Sequence, residues 1–136
     1  LSFSKKIGTI RGLHFQKKPK EQSKLVRVIV GEIFDVFIDL REKSKDFEKH
    51  GSCIIKPTDG WVYIPRGFAH GFCTLADNVT VLYKVDNYYS KEYDSGIIWN
   101  DSTFNINWPI DHLDPQISEK DKNLPPWNQI KSEASF

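Results

Sequence analysis

Short runs of β-forming residues recur along most of the chain. Turns rich in glycine, proline, aspartate and asparagine separate them, and no stretch before residue 110 shows the 3.6-residue apolar period of a helix. Many short strands with intervening turns are typical of a β-sandwich or barrel, not of a Rossmann-type sheet. The predicted strands are residues 24–30, 33–40, 53–55, 61–64, 71–75 and 79–85.

The two longest early runs, residues 24–30 and 33–40, are joined only by Gly31 and Glu32. Two β-branched runs joined by a two-residue turn that contains glycine predict a β-hairpin. In the second run apolar and acidic residues alternate, which predicts a strand with one apolar and one polar face. The apolar face comprises Phe34, Val36, Ile38 and Leu40, and the polar face comprises Asp35 and Asp39.

After Asp111 the chain becomes polar and rich in proline. The pattern there predicts at most one short helical turn, around residues 118–121. Ser118 and Asp121 have the spacing of a capping box, so capping of that turn is one interpretation of Asp121.

A chain of 136 residues suits one domain with a sizeable core, and we expect residues 1–136 to form a single domain. The formal net charge of +1 argues against nucleic-acid or membrane binding that depends on bulk charge. Cys53 and Cys73 lie in apolar, strand-like surroundings, which predicts buried free thiols and a reducing compartment. With neither a membrane-spanning run nor a signal-peptide pattern, we expect a cytoplasmic protein.

Two histidines stand out as candidates for chemistry. His14 lies in residues 8–16 and His70 in residues 65–72, and both runs are rich in glycine, aromatic and β-forming residues. Such runs suit strands that line a tight interior, so each imidazole is predicted to point into a pocket, where it could move protons. Two histidines without an adjacent carboxylate fall short of a catalytic three-ligand metal site, so no metal is expected.

Acid–base chemistry fits these residues better. A base on one face of a carbon next to a ketone and an acid on the other can invert that carbon, if the developing enolate oxygen is stabilised. His14 is the candidate base, Tyr83 or Tyr89 the acid, and Lys24 the group that stabilises the enolate. The alternative for either tyrosine is a packed aromatic with a hydrated hydroxyl.

Arg11 and His14 are three residues apart, so on a regular strand their side chains would point to opposite faces. Gly12 lies between them and could form a bulge that turns both inward. The alternative is a surface salt bridge for Arg11.

Taken together, these segments resemble the dTDP-4-dehydrorhamnose 3,5-epimerases, the RmlC-type nucleotide-sugar epimerases of the cupin superfamily. The resemblance implies an all-β, cupin-type double-stranded β-helix (a jelly-roll barrel) with a short C-terminal helical segment. It is carried, in order, by residues 11–16, 24–28, 31–36, 64–72, 82–84, 87–90, 99–101 and 120–121.

The resemblance also implies roles for individual residues. His14 matches the base, Asp121 the carboxylate that orients it and stabilises the imidazolium, Tyr83 the general acid, and Lys24 the cation near the ketone oxygen. The other matching positions imply substrate contacts: Arg11, His70 and Lys120 on the sugar diphosphate, Tyr89 on the nucleotide base, and Asp94 and Gln16 within the same binding set. No cofactor is expected.

The implied activity is epimerisation at C3 and C5 of a nucleotide-linked 4-keto-6-deoxyhexose, as in dTDP-rhamnose biosynthesis, by a homodimer. Family members begin with further strands that are exchanged between subunits. The sequence opens just after their place, and we expect those strands to precede residue 1. The alternatives are a 3-epimerase, a GDP-heptose epimerase, a 3,4-ketoisomerase, a non-catalytic nucleotide-sugar-binding cupin and an iron-dependent cupin dioxygenase.

Overall fold

The computed structural model of the protein describes residues 1–111 and 114–136. Within these residues the chain forms strands, one 3₁₀ turn at Pro57–Asp59 and short C-terminal helices. The strands are β1 Ser2–Ser4, β2 Ile10–Gln16, β3 Lys24–Val30, β4 Ile33–Asp39, β5 His50–Ile55, β6 Val62–Ile64, β7 Phe68–Thr74, β8 Val79–Val85 and β9 Asp94–Gly96, and the helices are α1 Glu119–Lys122 and α2 Trp127–Ala134.

The strands form two antiparallel sheets that face each other. One has the order β1-β8-β3-β6 and the other the order β5-β4-β7-β2-β9. Apolar side chains from both sheets meet between them, among them Val26 and Val81 from the first sheet and Ile33 and Phe72 from the second. The prediction of an all-β, cupin-type barrel with a short C-terminal helical segment is confirmed.

The predicted hairpin of residues 24–40 is wrong. β3 pairs with β6 and β8, whereas β4 pairs with β5 and β7, so the link of Gly31 and Glu32 carries the chain from one sheet to the other. Gly31 has a positive φ of 89°, which glycine adopts readily, and such a residue serves a crossing as well as a turn. The crossing places β3 and β4 on opposite walls of the barrel, where both contribute to the core between the sheets.

The alternation along β4 is confirmed, and its polar face proves to be buried. Asp35 and Asp39 are only 0% and 2% exposed. Asp39 is bound by the guanidinium of Arg41, with Nη2 2.8 Å from Oδ2, and by the hydroxyl of Ser44. The apolar face, with Val36, Ile38 and Leu40 buried and Phe34 packed beside them, belongs to a second core on the outside of the larger sheet.

The C-terminal segment covers this second core. Trp127, Ile130 and Ala134 of α2 are buried in it. The Trp127 backbone N–H donates to Asp101 Oδ2 at 2.7 Å, and its indole N–H donates to Glu48 Oε1 at 2.8 Å. The predicted turn at residues 118–121 is confirmed as α1, but the expectation of at most one helical turn is wrong, because α2 adds an eight-residue helix.

Both cysteines are free, as predicted; Cys73 is buried, whereas Cys53 is only partly buried. Among residues 1–111 and 114–136, no helix has the length and apolar character needed to cross a membrane.

A bulge in β2 sets the direction of its side chains. Arg11 pairs with Phe72 and His14 pairs with His70, so two residues of β2 stand opposite Gly71. The extra residue brings Arg11 and His14 to the same face, as the interpretation of Gly12 predicted. A Cβ on Gly12, whose φ is 111°, would stand 2.7 Å from the His70 carbonyl oxygen.

Gly12→Ala is therefore expected to be strongly destabilising, since the new methyl group meets rigid backbone in a left-handed conformation. Gly60→Ala is the matched control, because Gly60 also has a positive φ, 74°, but its Cβ would meet nothing within 4 Å. We expect the loss of unfolding free energy in urea to be about 1–3 kcal/mol larger for Gly12→Ala than for the control. Equal losses in the two variants would contradict this description of the bulge.

Candidate active site

A cavity of about 490 Å³ opens between the two sheets beside α1. The larger sheet contributes residues of β2 and β7, the smaller sheet contributes residues of β3 and β8, and α1 closes one side. Eight of the ten predicted site residues line it: Arg11, His14, Lys24, His70, Tyr83, Tyr89, Lys120 and Asp121.

The other two predicted residues, Gln16 and Asp94, line an adjoining hollow of about 230 Å³. His14, Lys24, Tyr89 and Lys120 line both spaces, so the ten side chains surround one continuous region. Residues far apart in the sequence are brought together there by the two sheets and α1.

His14 and Asp121 form the central pair. The imidazole Nε2 lies 3.0 Å from Asp121 Oδ1, and Asp121 Oδ2 accepts a hydrogen bond of 3.0 Å from the Gly12 backbone N–H. If Nε2 carries the proton shared with Asp121, the lone pair of Nδ1 is free to accept a proton. The pair can therefore work as an oriented base.

The backbone of Asp121 takes part in capping α1, and its carboxylate takes part in the site. Its backbone N–H donates to Ser118 Oγ at 3.2 Å, which caps the helix. Burial alone would raise the pKa of Asp121, but the contact with His14 and the hydrogen bond from Gly12 outweigh it and hold the pKa below 3.8. The carboxylate is therefore a stable negative charge beside the imidazole.

Lys24 and Tyr83 stand on the facing sheet. Val26, two residues along β3 from Lys24, is the cross-strand partner of Tyr83, so Lys24 and Tyr83 are diagonal neighbours on one face. Burial lowers the pKa of the Lys24 ammonium from 10.5 to about 8, while Asp35 and Asp94 limit the fall. Burial also raises the pKa of the Tyr83 phenol, and Asp35 raises it further, against the opposing effects of Arg11 and Ser2. Tyr83 is thus a neutral phenol that can donate a proton.

Asp35 orients His70. The sequence pattern predicted only that Asp35 lies on the polar face of a strand. His70 Nε2 lies 2.7 Å from Asp35 Oδ1, and both side chains are buried. The other oxygen of Asp35 is buried without a hydrogen-bond partner among the described residues. The signal that could have identified it is an acidic residue in the middle of a strand that is apolar except for Asp35 and Asp39.

Arg11 reaches the cavity and is held there by β1, so the surface alternative for it is wrong. Its Nε donates to Ser4 Oγ at 3.0 Å and its Nη2 to the Phe3 carbonyl oxygen at 2.9 Å. The sequence alone did not single out Ser4, which lies in a strand of only three residues.

The rim beside α1 carries a second group of polar side chains. Lys120 Nζ lies 2.7 Å from Asp94 Oδ2, and the Tyr89 hydroxyl donates to the same oxygen at 3.3 Å. The hydrogen bond to Asp94 raises the pKa of Lys120, so this lysine remains a cation at neutral pH. Gln22, which the analysis of the sequence also missed, lines both hollows.

Within residues 1–111 and 114–136, no group of three or more histidine, cysteine, aspartate or glutamate side chains is arranged to hold a metal ion. The site instead joins an oriented imidazole, a neutral phenol and several cations. Together with the two facing sheets, these features define a cupin-type barrel with an acid–base site in its interior.

The comparison with known proteins gives the family. Residues 1–129 match the dTDP-4-dehydrorhamnose 3,5-epimerase family, and the chain belongs to it. A dTDP-4-dehydrorhamnose 3,5-epimerase of Shigella flexneri is 46% identical over 117 residues, which cover 85% of this chain and 64% of that protein. The chain spans two thirds or less of the length of the curated relatives it matches.

Solved structures give the same picture. The crystal structure of dTDP-4-dehydrorhamnose 3,5-epimerase from Bacillus anthracis with TDP and PPi bound has a TM-score of 0.88 and 48% identity, covering 92% of this chain and 71% of that one. The structure of dTDP-6-deoxy-D-glucose-3,5-epimerase from Legionella pneumophila in complex with dTDP-4-keto-L-rhamnose has a TM-score of 0.90 and 36% identity, covering 98% and 70%.

Asp121→Asn is expected to lower the unfolding free energy by about 1–3 kcal/mol at pH 7, because the charge that binds His14 and Gly12 is lost. Since the folded-state pKa of Asp121 lies below 3.8, this stabilisation is complete above that pH and disappears as the pH falls below it. Urea unfolding at pH 7 and pH 3 should show a smaller difference between wild type and variant at pH 3.

Asp46→Asn is the matched control, because Asp46 belongs to an exposed surface pair, and it should change the unfolding free energy little at either pH. An equal loss in Asp46→Asn would contradict a special role for Asp121.

Proposed function

We propose that this protein is an epimerase that inverts C3 and C5 of a dTDP-linked 4-keto-6-deoxyhexose in rhamnose biosynthesis. The observation that carries the proposal is the arrangement of the cavity. An imidazole backed by a carboxylate stands on one sheet, and a phenol beside an ammonium group stands on the facing sheet. A sugar held between the sheets would have a base on one face and an acid on the other.

The substrate class is supported by charge and by the relatives. Arg11 and Lys120 place two cations at the cavity, which suits the diphosphate of a nucleotide sugar. His70 also lines the cavity, with its Nε2 held by Asp35, and the exposed side chain of Tyr89 can stack on a nucleotide base. The Bacillus anthracis relative holds TDP, and the Legionella pneumophila relative holds dTDP-4-keto-L-rhamnose.

The reaction would begin at His14. A hydrogen on a carbon next to the C4 ketone is acidic once the enolate is stabilised, and the imidazole takes that proton. The negative charge of Asp121 stabilises the resulting imidazolium, while the hydrogen bond from Gly12 keeps the carboxylate in place. The Lys24 ammonium stabilises the enolate oxygen.

Inversion requires the proton to return from the other face. Tyr83 belongs to the sheet opposite His14, and its buried, neutral phenol can donate a proton to the enolate carbon. Once the His14 imidazolium has released its proton to water and the Tyr83 phenolate has regained one from water, the same two proton transfers at the carbon on the other side of the ketone give inversion at C3 and at C5.

The partner we propose is a second copy of the chain. Phe3, Ile29 and Tyr63 are each next to a buried residue of their strand, so they stand on the outer face of the smaller sheet, and all three are exposed. An exposed apolar face of this kind supports association into a homodimer.

Incubation of the protein with dTDP-4-keto-6-deoxyglucose in heavy water should place deuterium at both C3 and C5. His14→Ala should lower the rate of incorporation by about 10²–10⁴-fold, the usual contribution of a general base, while the variant still binds TDP. His50→Ala is the matched control, because His50 is an exposed residue at the start of β5.

Each outcome separates the alternatives. Deuterium at C3 alone would identify a 3-epimerase, and TDP binding without exchange in the wild-type protein would identify a binding protein without catalysis. Exchange at the wild-type rate in His14→Ala would show that another group is the base.

The rate should also depend on pH through Lys24. Because its pKa is about 8 in the protein without substrate, the ammonium that stabilises the enolate is lost above that pH, and kcat/KM should fall by about tenfold per pH unit there. Lys24→Gln should lower kcat by about 10²–10³-fold and abolish this decline. Lys49→Gln, at an exposed lysine, should keep both the rate and the profile. An unchanged alkaline decline in Lys24→Gln would contradict the assignment.

A further inference from the structure

Gln16 is one of the predicted substrate contacts, but its carboxamide forms hydrogen bonds with the protein backbone. It ends β2 and is only 4% exposed. Its Nε2 donates to the carbonyl oxygens of Lys20 at 2.6 Å and of Tyr88 at 3.2 Å, and its Oε1 accepts from the Ser90 N–H at 2.8 Å. Both amide hydrogens are therefore in use, and one lone pair of the oxygen is also taken.

Two of these bonds lie on either side of Tyr89. The ring of Tyr89 is 64% exposed, and the hydrogen bond from its hydroxyl to Asp94 is long, at 3.3 Å. Such a side chain has little packing of its own to fix it. The position of the ring therefore follows the backbone at Tyr88 and Ser90, and one buried side chain holds both of those residues.

The other hydrogen bonds of this loop hold its two ends, and one set involves Ser90 itself, whose carbonyl oxygen accepts from the N–H groups of Tyr93 at 3.1 Å and Asp94 at 2.9 Å. Gln22 Nε2 donates to the Asn87 carbonyl oxygen at 2.8 Å, before the tyrosine, and the Lys17 N–H donates to the Tyr93 carbonyl oxygen at 2.9 Å, after it. Between Asn87 and the Ser90 carbonyl, on both sides of the tyrosine, the bonds of Gln16 link the loop backbone to the larger sheet.

We propose that Gln16 is a positioning residue that holds residues 88–90, and through them the ring of Tyr89, in the arrangement that binds the nucleotide. This inference rests on the proposed function, in which Tyr89 contacts the nucleotide base. Gln16 would then affect the affinity for the nucleotide but not the proton transfers. His14, Asp121 and Tyr83 are held by contacts that do not involve Gln16.

The physical reason is preorganisation. When the loop is already ordered, binding of the nucleotide does not have to immobilise it. The affinity is then higher by the free energy that ordering the loop would cost. Without the Gln16 bonds, the loop becomes ordered only when the nucleotide binds, which lowers the affinity. The substrate at saturation would still reach the same catalytic groups, so KM would rise while kcat stayed the same.

Two substitutions test the proposal. Gln16→Glu keeps an acceptor for the Ser90 N–H. It replaces the NH2 group, which donates both other hydrogen bonds, with an oxygen that faces the carbonyls of Lys20 and Tyr88. Gln16→Met removes all three bonds without adding charge, which keeps the test valid if a buried carboxylate prevents folding. For each variant we expect the Kd for TDP to rise by about tenfold or more, with kcat within about twofold of wild type. Gln129→Glu, on the exposed side of α2, is the matched control and should change neither quantity.

A double-mutant cycle separates positioning from general destabilisation. Tyr89→Ala should weaken TDP binding, and adding Gln16→Met to it should cause no further loss, because Gln16 acts through the ring that is already absent. Additive losses, or unchanged TDP affinity in both Gln16 variants, would overturn the inference. If Tyr89→Ala itself left TDP affinity unchanged, the proposed nucleotide contact would be the part that fails.

Discussion

The bond between the Asp121 carboxylate and the Gly12 backbone N–H is the constraint on which the site depends. It joins the C-terminal segment to β2 at the bulge that turns Arg11 and His14 into the cavity. The other oxygen of the same carboxylate orients the imidazole of His14. One side chain thus fixes the backbone that presents His14 and supplies a negative charge beside its imidazole.

The charges around the cavity are arranged in two layers. Asp35 lies behind the cavity wall, against His70, and Asp121 is buried at the cavity edge, against His14, whereas Lys24, Arg11 and Lys120 stand at the cavity itself. Buried carboxylates of this kind hold imidazoles in one orientation, and the three cations give the cavity positive charge that attracts an anionic ligand. The arrangement suits a substrate that carries a diphosphate and passes through an enolate.

The resemblance to the epimerase family supplied Gln16, Asp94, Lys120 and Asp121 of the site. Local patterns in the sequence predicted most of the strands, offered a bulge as one interpretation of Gly12, and identified the other six residues that surround the cavity as candidates. They failed where the outcome depends on distant parts of the chain. Gly31 and Glu32 suit a hairpin and a crossing between sheets equally well, and only the pairing of β3 with β8 decides between them. The eight residues of α2 carry too short an apolar pattern to predict a helix; Trp127 and its bonds to Asp101 and Glu48 stabilise it.

The proton position on the His14 imidazole tests the central claim most directly. Nitrogen-15 NMR of the ring, recorded where the imidazole is neutral, reports which nitrogen carries the hydrogen. The account predicts a proton on Nε2, directed at Asp121, and an unprotonated Nδ1. A proton on Nδ1, with Nε2 bare beside the carboxylate, would contradict the pairing and with it the assignment of His14 as the oriented base.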